Sequence, residues 1–531
     1  MRRENHGEVE CGRAEGFVTF LRRPRLPAMG IQALPPCDAT RRDRALQVLL
    51  GDDLRPIVDL VAWMIEPDSF ELASNTGHIR FRRQGAADST DGFDVEVVSG
   101  VNPVENQDPE HLGSLEAERA SPHPPSDANA YPFAYDHLAQ LFDHRSAPDL
   151  VVLHTGAHYW GDQGGHLGEH GSLGVLQARA PFIAAGAGVR RGGMVDRSCR
   201  LVDVFPTALA LLGVDAAPSD DRTNVPVDGT DLDHVVAEHG AAQHVVGILM
   251  DGTNPNVLYE LAARGEAPNI ARLMDMGTTH RFGAIASLPT VTLANHTGIL
   301  TGRHPGHHGV LHNAWIDRAT GNQVVTNSPT TWPDSMRWLN EGVETIHQAV
   351  HRGLPGSTSV SINEPCDVGA DFSVFDLVRR GESVDGAPRA EDLPDATERF
   401  VRPSKDYRWS SRIDHTAVEQ FCGIWSGEYH GRTWRVPAFS WVNFTLTDSA
   451  FHEGGPYSEV AAASVRDTDA RIGHLLDAVE RSGRFDQTAF FIVADHGMQL
   501  ADEQVTGDWD ASLRAAKIDV RDEGYGFLYL P

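Results

Sequence analysis

Short apolar runs, most of them closed by Gly or Asp, recur along the chain and alternate with helical patterns. The runs are rich in Val, Ile and Phe and lack polar alternation, which is typical of strands buried on both faces. They lie at 149–156, 180–189, 244–252, 438–448 and 488–497. Apolar positions with helical spacing lie at 202–214, 268–277, 293–302 and 460–483. This alternation predicts an α/β fold with a mostly parallel central sheet and helices on both faces.

Other segments depart from this alternation and set the expected organisation. Residues 1–45 are rich in Arg and Pro and are expected to form a poorly ordered tail. Residues 215–243 are acidic and irregular, as expected for a linker, and residues 355–437 interrupt the core pattern as an inserted cap. Two strands are expected at 79–83 and 93–100, followed by a long surface loop at 101–132. The core pattern itself occupies 244–354 and 438–531.

Composition and charge narrow the possible partners. The net charge of −29 argues against a nucleic-acid polymer, because a phosphate backbone requires a cationic surface. A small anionic substrate is still compatible, since bound divalent cations would reverse the local field. The five Cys are scattered without a CxxC, which argues against a disulfide scaffold and a Cys-ligated zinc. Neither a signal-peptide pattern nor an apolar run of about 18 residues is present, so we expect a cytoplasmic protein without membrane contact.

Three of the apolar runs end in a carboxylate. Asp251, Asp448 and Asp495 follow predicted strands, and ligands of open α/β sheets bind at the carboxyl ends of strands. His452 lies four residues after Asp448, and His496 follows Asp495 directly. Mixed Asp and His ligation suits catalytic zinc and is compatible with manganese or iron. Taken singly, each Asp is better explained by a turn or a helix cap than by metal ligation.

A candidate nucleophile lies in the segment 286–313. Pro289 stops the preceding element and a helix is predicted to begin near Thr292, where free N–H groups and the helix dipole favour negative charge. Considered alone, Thr292 is better explained as an ordinary N-cap than as a nucleophile. The segment is also dense in histidine, and we expect most of these residues on helix faces or in loops: His296, His304, His307, His308 and His312.

Taken together, five motifs in fixed order resemble the type I phosphodiesterase/nucleotide pyrophosphatase family of the alkaline phosphatase superfamily. They are LMDGTNPNVL, PNIARLMDMGTT, LPTVTLANHTGILTGRHPGHHGVLHN, TDSAFH and ADHGM, within about 245–500. The resemblance implies that Thr292 is the nucleophile and that Asn313 holds the phosphoryl oxygens. It also implies that most of two metal sites is supplied by Asp251, Asp448, His452, Asp495 and His496.

The last metal ligand of that family, a His in a Gly-x-His-Gly setting, has no counterpart after the ADHGM motif. A segment that resembles the family's C-terminal part, GGHLGEHGSLGVLQARAPFIAAGAGV and then VDVFPTALALLGV, lies instead at 164–214. The resemblance therefore implies a circular permutation, in which 46–214 is the family's C-terminal part and 215–243 joins its ends. His170 would then be the missing ligand, with His154 and His166 as neighbours. The alternative is that 150–214 is a separate domain and His170 is a loop residue.

The resemblance implies two divalent cations, with zinc favoured, and hydrolysis of small phosphodiester or pyrophosphate substrates through a phospho-threonine. Hydrolysis of a phosphonate or phosphomonoester is the alternative within the superfamily. A protein that only binds metal or phosphate is the alternative of another class. Aromatic side chains of the expected cap would either stack a flat leaving group or form the cap's own core: Tyr407, Trp409, Phe421, Trp425 and Trp434.

Overall fold

A computed structural model describes residues 37–84, 92–161, 165–216, 225–382 and 404–531. Its helices are α1 Ala39–Leu49, α2 Leu115–Ala120, α3 Ala134–Phe142, α4 Val175–Ala178, α5 Val204–Leu212, α6 Pro255–Ala263, α7 Pro268–Met276, α8 Thr292–Thr301, α9 Pro305–His308, α10 Ile346–Gly353, α11 Val374–Arg379, α12 Lys405–Ser426, α13 Leu446–Gly454, α14 Glu459–Arg481 and α15 Trp509–Ala515.

The strands fall into two large sheets and several small pairs. They are β1 Val58–Glu66, β2 Ser69–Ala73, β3 Gly77–Arg83, β4 Phe93–Gly100, β5 Leu150–His154, β6 Gly168–Glu169, β7 Arg179–Ala180, β8 Phe182–Gly186, β9 Gly193–Val195, β10 Cys199–Arg200, β11 His244–Met250, β12 Gly277–His280, β13 Ala284–Ile285, β14 Ala314–Asp317, β15 Asn322–Val325, β16 Ser359–Ile362, β17 Phe372–Ser373, β18 Glu428–Tyr429, β19 Arg432–Thr433, β20 Phe439–Phe444, β21 Thr488–Val493, β22 Gln499–Leu500, β23 Arg521–Asp522 and β24 Phe527–Tyr529.

The larger sheet has eight strands in the order β17-β16-β20-β11-β21-β8-β12-β9. Strand β11 lies between β20 and β21 and pairs in parallel with both. Strand β8 runs antiparallel to β21 and to β12, so the parallel orientation expected for the run at 180–189 is wrong. Because β8 comes from the N-terminal half of the chain, both halves contribute to one sheet. The fold is mixed α/β, as expected.

Alternate residues of β11 face two different hydrophobic layers, as the two-residue period of a strand requires. Val245 and Leu249 pack in the layer that contains α5, whereas Val246 and Ile248 pack in the layer that contains α14. All four side chains are buried. The strand is therefore covered on both faces, which explains its continuous apolar sequence.

The second sheet has seven strands in the order β23-β24-β5-β1-β2-β3-β4, and all its pairings are antiparallel. Strand β5 was expected to be parallel from its apolar run at 149–156, and this expectation is wrong. Apolar runs arise in any strand that is buried on both faces, so they do not report direction. The two strands expected at 79–83 and 93–100 are β3 and β4, which pair with each other.

Several segments outside the core pattern are more ordered than the sequence indicated. Residues 39–49, partly within the expected tail, form α1, while 1–36 lie outside the described residues. The expected surface loop at 101–132 contains α2, whose Glu118 is completely buried. In the expected linker, Leu232 and Val235 are buried, and 217–224 lie outside the described residues.

The expected cap at 355–437 is largely part of the core. Strands β16 and β17 extend the eight-stranded sheet, and α12 packs on α13, α14 and β20. Residues 383–403 of this segment lie outside the described residues. Among the described helices, none is both long enough and apolar enough to cross a bilayer.

We expect Ile248→Ala to lower the free energy of unfolding by about 2–5 kcal/mol, because it leaves a cavity beside the central strand. Ile248 is fully buried, whereas Ile65, at the end of β1, is 38% exposed and supplies the matched control. Chemical denaturation of both variants measures the difference. An Ile65→Ala variant as destabilised as Ile248→Ala would contradict the assignment of β11 to the core.

His307 of α9 ties two distant segments together. Its Nε2 lies 2.9 Å from Asp143 Oδ2, just after α3, and its Nδ1 lies 2.8 Å from Asp228 Oδ2, just before a buried part of the 215–243 segment. Burial lowers the pKa of His307, but hydrogen bonds to Asp143 and Asp228 outweigh it and raise the pKa to about 9.

The stabilisation from this ion pair should therefore be complete below the unfolded-state pKa of about 6.5 and be lost as the pH rises through about 9. We expect His307→Gln to lower Tm more at pH 6 than at pH 9.5. Thermal unfolding at the two pH values measures the effect, with exposed His239→Gln as control. An equal loss at both pH values would show that charge at His307 does not contribute.

Candidate functional site

Three carboxylates meet at the carboxyl ends of three central strands of the eight-stranded sheet. Asp251 follows β11, Asp448 lies in the first turn of α13 directly after β20, and Asp495 follows β21. Because β20, β11 and β21 are parallel neighbours, their carboxyl ends lie at the same edge. The topology thus brings together three side chains that are far apart in sequence.

The first donor group consists of Asp251, Asp495 and His496. Their potential ligand atoms all lie within 4.8 Å of one another, and all three residues are buried. His496 Nε2 is 3.1 Å from Asp495 Oδ2 and 3.9 Å from Asp251 Oδ1. The backbone N–H of Gly252 donates to Asp495 Oδ1 at 3.1 Å, which leaves Oδ2 facing the histidine.

The second donor group consists of His170, Asp448 and His452, whose ligand atoms also lie within 4.8 Å of one another. His452 Nε2 is 3.3 Å from Asp448 Oδ1 and 3.2 Å from His170 Nε2. The ring of His170 stacks on that of His496, with 3.6 Å between the ring centroids. The two groups are therefore immediate neighbours, and the GEHG segment contacts the DSAFH segment.

Backbone carbonyls orient each histidine of the two groups. Nδ1 of His170 lies 2.8 Å from the Thr290 carbonyl, Nδ1 of His452 lies 2.6 Å from the Gly168 carbonyl, and Nδ1 of His496 lies 2.9 Å from the Gly497 carbonyl. A proton on each Nδ1 satisfies these carbonyls and leaves each Nε2 as an acceptor facing the carboxylates. This pattern is typical of metal-binding histidines.

Burial and mutual repulsion dominate the electrostatics of the carboxylates. Burial, together with the Asp495 and Asp448 carboxylates, raises the pKa of Asp251 well above its usual range. Burial raises the pKa of Asp448 to about 6, partly offset by His496. Burial also disfavours the charged form of Asp495, but the neighbouring His496 and His296 hold its pKa well below the usual range.

Several buried polar atoms of the cluster have no hydrogen-bond partner among the described residues: Asp251 Oδ1, Asp448 Oδ1, Asp495 Oδ2 and His496 Nε2. Unpaired buried atoms of this kind are rare and costly, so they require an explanation. Divalent cations would satisfy all four atoms and relieve the repulsion between the carboxylates. The donor types, Asp oxygen and His nitrogen, are those that catalytic zinc accepts, and the residues fit such a centre.

Thr292 is the first residue of α8, and it is partly exposed. Val291 occupies the capping position of this helix, so the alternative that Thr292 is an ordinary N-cap does not hold. Asn313 lies beside the same helix start, since the backbone N–H of Leu293 donates to Asn313 Oδ1 at 3.2 Å. This bond fixes the amide and leaves its NH₂ group free to donate elsewhere.

Sequence reasoning missed His296, which lies one turn after Thr292 on α8. Its Nε2 is 3.5 Å from Asp495 Oδ2 and 3.7 Å from Asp251 Oδ2, and its Nδ1 is 2.8 Å from Glu364 Oε2. Burial lowers the pKa of His296, but Glu364 and the nearby Asp251 and Asp495 carboxylates outweigh it and raise the pKa well above the usual range. The sequence signal that could have identified His296 as part of the site was its position four residues after Thr292.

The other histidines of the 286–313 segment lie outside both donor groups. His304 Nδ1 contacts Ser287 Oγ at 2.7 Å, His308 Nε2 contacts the Ala294 carbonyl at 3.0 Å, and the His312 ring packs on Phe527. The contacts of these three residues and of His307 are structural ones, as the sequence indicated for most of these histidines.

His154 and His166 lie at the border of the second donor group. His154 Nε2 is 3.3 Å from the His170 carbonyl, and the ring centroid of His166 is 4.5 Å from that of His452. His166 also forms a further group with Glu169 and His452, although Nδ1 of His452 is already committed to Gly168.

Most aromatic residues of the expected cap are core residues. Tyr407, Phe421, Trp425 and Trp434 are buried, whereas Trp409 is 41% exposed.

The sequence profile of the family described as type I phosphodiesterase / nucleotide pyrophosphatase matches residues 245–531, which is more than half of the chain. The chain belongs to this family. The profile begins at β11, so the phosphodiesterase family match covers Asp251, Thr292, Asp448 and Asp495, and His170 lies outside it.

Individual relatives are distant. An uncharacterized pyrophosphatase/phosphodiesterase of Schizosaccharomyces pombe is 26% identical over 261 residues, covering 48% of this chain and 44% of that protein. Ectonucleotide pyrophosphatase/phosphodiesterase family member 3 of Mus musculus is 23% identical over 236 residues, covering 44% and 22%. The chain spans less than half the length of these curated relatives. The solved structure of murine ectonucleotide pyrophosphatase/phosphodiesterase 5 matches at 17% identity and a TM-score of 0.33, covering 49% of this chain and 59% of that one.

We expect Zn²⁺ or Mn²⁺ to raise the Tm of chelator-treated protein, because a cation that binds only the folded state stabilises it by about 2.7 kcal/mol at a concentration 100-fold above Kd. Asp495 belongs to one of the two donor groups, so Asp495→Asn should reduce this rise. Asp414, a buried carboxylate that accepts the backbone N–H groups of Thr445 and Leu446, supplies the control. Asp414→Asn should lower the starting Tm but keep the metal-induced rise, and the opposite pattern would place the cations elsewhere.

Proposed function

We propose that this family member hydrolyses small phosphodiester or pyrophosphate substrates, with Thr292 as nucleophile and two divalent cations, zinc favoured. The observation that carries the proposal is the contact between the two donor groups. The ring of His170, from one group, stacks on the ring of His496, from the other, with 3.6 Å between their centroids. This contact lies near the start of helix α8, since His170 also contacts the Thr290 carbonyl. One cation would be held by Asp251, Asp495 and His496, and the other by His170, Asp448 and His452. When bound, such ions neutralise phosphoryl charge and lower the pKa of a nearby hydroxyl.

The protein's own groups then have distinct roles. Thr292 Oγ1 attacks phosphorus, and a new Thr–O–P bond forms as the bond to the leaving-group oxygen breaks. Water subsequently hydrolyses the phospho-threonine, which releases the phosphoryl product and restores the hydroxyl. The backbone N–H of Thr292, at the helix start, and the NH₂ of Asn313 donate to the non-bridging oxygens. Leu293 fixes the orientation of the Asn313 amide for this role.

We also infer that the chain is a circular permutant of its family. Residues 46–214 would correspond to the family's C-terminal part, and 215–243 would join the family's ends. Two observations support this inference: β8 lies directly beside β21, and His170 contacts His452 across 282 residues of sequence. Neighbouring termini make such a rearrangement tolerable in a compact domain.

A phosphodiester or pyrophosphate is favoured over a phosphonate or phosphomonoester, because the profile that matches this chain is that of the type I phosphodiesterase / nucleotide pyrophosphatase family. The net charge of −29 favours a small substrate over a nucleic-acid polymer. A protein that only binds metal or phosphate is the remaining alternative, and it predicts binding without turnover.

We expect Thr292→Ala to abolish hydrolysis of bis-p-nitrophenyl phosphate while zinc binding is retained, because only the attacking oxygen is lost. Release of p-nitrophenol is measured with and without chelator and compared with release from p-nitrophenyl phosphate. Thr297→Ala is the matched control, since Thr297 lies on the same helix and its buried hydroxyl only bonds the Leu293 carbonyl. Substantial hydrolysis by the Thr292 variant would refute the nucleophile, and zinc binding by an inactive wild type would favour the binding protein.

A further inference from the structure

His296 and Glu364 form a buried pair behind the first donor group. The His296 side chain is 1% exposed and that of Glu364 is fully buried. His296 lies on α8, one turn from Thr292, whereas Glu364 follows β16 at the edge of the sheet where Asp251 lies. The pair therefore connects the nucleophile helix to the carboxyl ends of the parallel strands.

Glu364 is held rigidly and in turn fixes the ring of His296. Its Oε1 accepts the backbone N–H of Cys366 at 2.8 Å, and its carbonyl accepts the Ser361 hydroxyl at 2.9 Å. The remaining oxygen, Oε2, lies 2.8 Å from His296 Nδ1. With Nδ1 committed to Glu364, the opposite nitrogen, Nε2, must face the cluster.

The two histidines of this site face different atoms of Asp251. His296 Nε2 lies 3.7 Å from Asp251 Oδ2, whereas His496 Nε2 lies 3.9 Å from Asp251 Oδ1. His296 Nε2 also lies 3.5 Å from Asp495 Oδ2, the oxygen closest to His496. Contact with both carboxylates restricts their rotation, and the contact with Oδ2 leaves Oδ1 of Asp251 directed at His496.

His296 itself stands outside the donor groups. Among the described residues, the sets whose ligand atoms all lie within 4.8 Å contain Asp251, Asp495 and His496 but not His296. Its Nε2 is nevertheless buried without a hydrogen-bond partner in the described part of the chain. A histidine with a purely structural role would have a hydrogen-bond partner for Nε2. The position of His296 Nε2 beside the two carboxylates therefore indicates a role in orienting them.

We propose that His296, oriented by Glu364, is a positioning residue that fixes the Asp251 and Asp495 carboxylates for cation binding. The inference rests on the proposed function, because it assumes that these carboxylates hold a cation. Partners that orient metal ligands in this way commonly contribute about 10- to 100-fold to metal affinity.

The test is calorimetric titration of chelator-treated protein with Zn²⁺, with Tm measured in parallel. We expect wild type to bind two ions and His296→Ala to bind one of them about 10- to 100-fold more weakly. His296→Gln keeps an amide donor near Nε2, and Glu364→Gln keeps an acceptor for Nδ1, so both should weaken binding less. In His296→Ala, saturating Zn²⁺ should restore most of the turnover.

The matched control is His347→Ala. His347 is fully buried, and its Nδ1 bonds Ser359 Oγ of β16 at 2.6 Å, so its loss perturbs the same strand without touching the carboxylates. It should lower Tm but keep both zinc affinities. Wild-type zinc affinity in His296→Ala, or an equal loss in His347→Ala, would overturn the inference. Failure of the proposed function is distinguishable, since wild type itself would then not bind two ions or not hydrolyse the diester.

Discussion

The arrangement of this site depends on one electrostatic constraint. Three carboxylates lie together at the carboxyl ends of buried strands, where they repel one another. Asp251, Asp448 and Asp495 are placed there by parallel strands, and burial removes the water that would otherwise screen them. Among the described residues, the charged groups that offset the three carboxylates are histidines. His496 and His296 offset part of the repulsion, but buried oxygens of all three carboxylates still lack a partner among the described residues. A bound cation, or protonation of one of the carboxylates, would relieve the repulsion in a cluster of this kind.

Hydrogen bonds that surround the cluster make the arrangement specific. Each histidine of the donor groups has its outer nitrogen bound to a backbone carbonyl, so the inner nitrogen is directed at the carboxylates by the fold rather than by the ligand. Gly252 shows how closely the strand ends approach: a Cβ at this position, where φ is +62°, would lie 2.6 Å from Asp448 Oδ1. The site is therefore preorganised by the strand ends, the backbone carbonyls and this glycine. Preorganisation of this kind is what catalysis by orientation and electrostatic stabilisation requires.

The apolar pattern predicted the α/β class, the central strand and the ends of α5, α7 and α14. These features could be predicted because the spacing of apolar residues and the residues that end a helix are local properties of the sequence. Strand direction did not, because β5 and β8 are apolar for the same reason as parallel strands, namely burial on both faces. The motifs indicated the six candidate ligands, Thr292 and Asn313, but Glu364 was missed. Glu364 follows a short strand in the segment whose irregular sequence predicts a cap, so the apolar pattern that marks the three Asp residues does not mark it. Glu118 was also missed, because its partners Asn254, Asn256 and Tyr457 become neighbours only through folding.

The GEHG segment and the start of helix α8 form one structural unit, although they are 120 residues apart. His170 Nδ1 bonds the Thr290 carbonyl, the N–H of Gly171 donates to Thr290 Oγ1, and that hydroxyl donates to the Ser172 carbonyl. Thr290 lies two residues before Thr292, so the position of His170 and the start of α8 are set by the same contacts. The proposed ligand and the proposed nucleophile are coupled in this way, so they keep their mutual geometry whatever the order of the segments along the chain. The proposed permutation would therefore require little change in the folded structure, because it alters how the segments are connected and leaves these contacts intact.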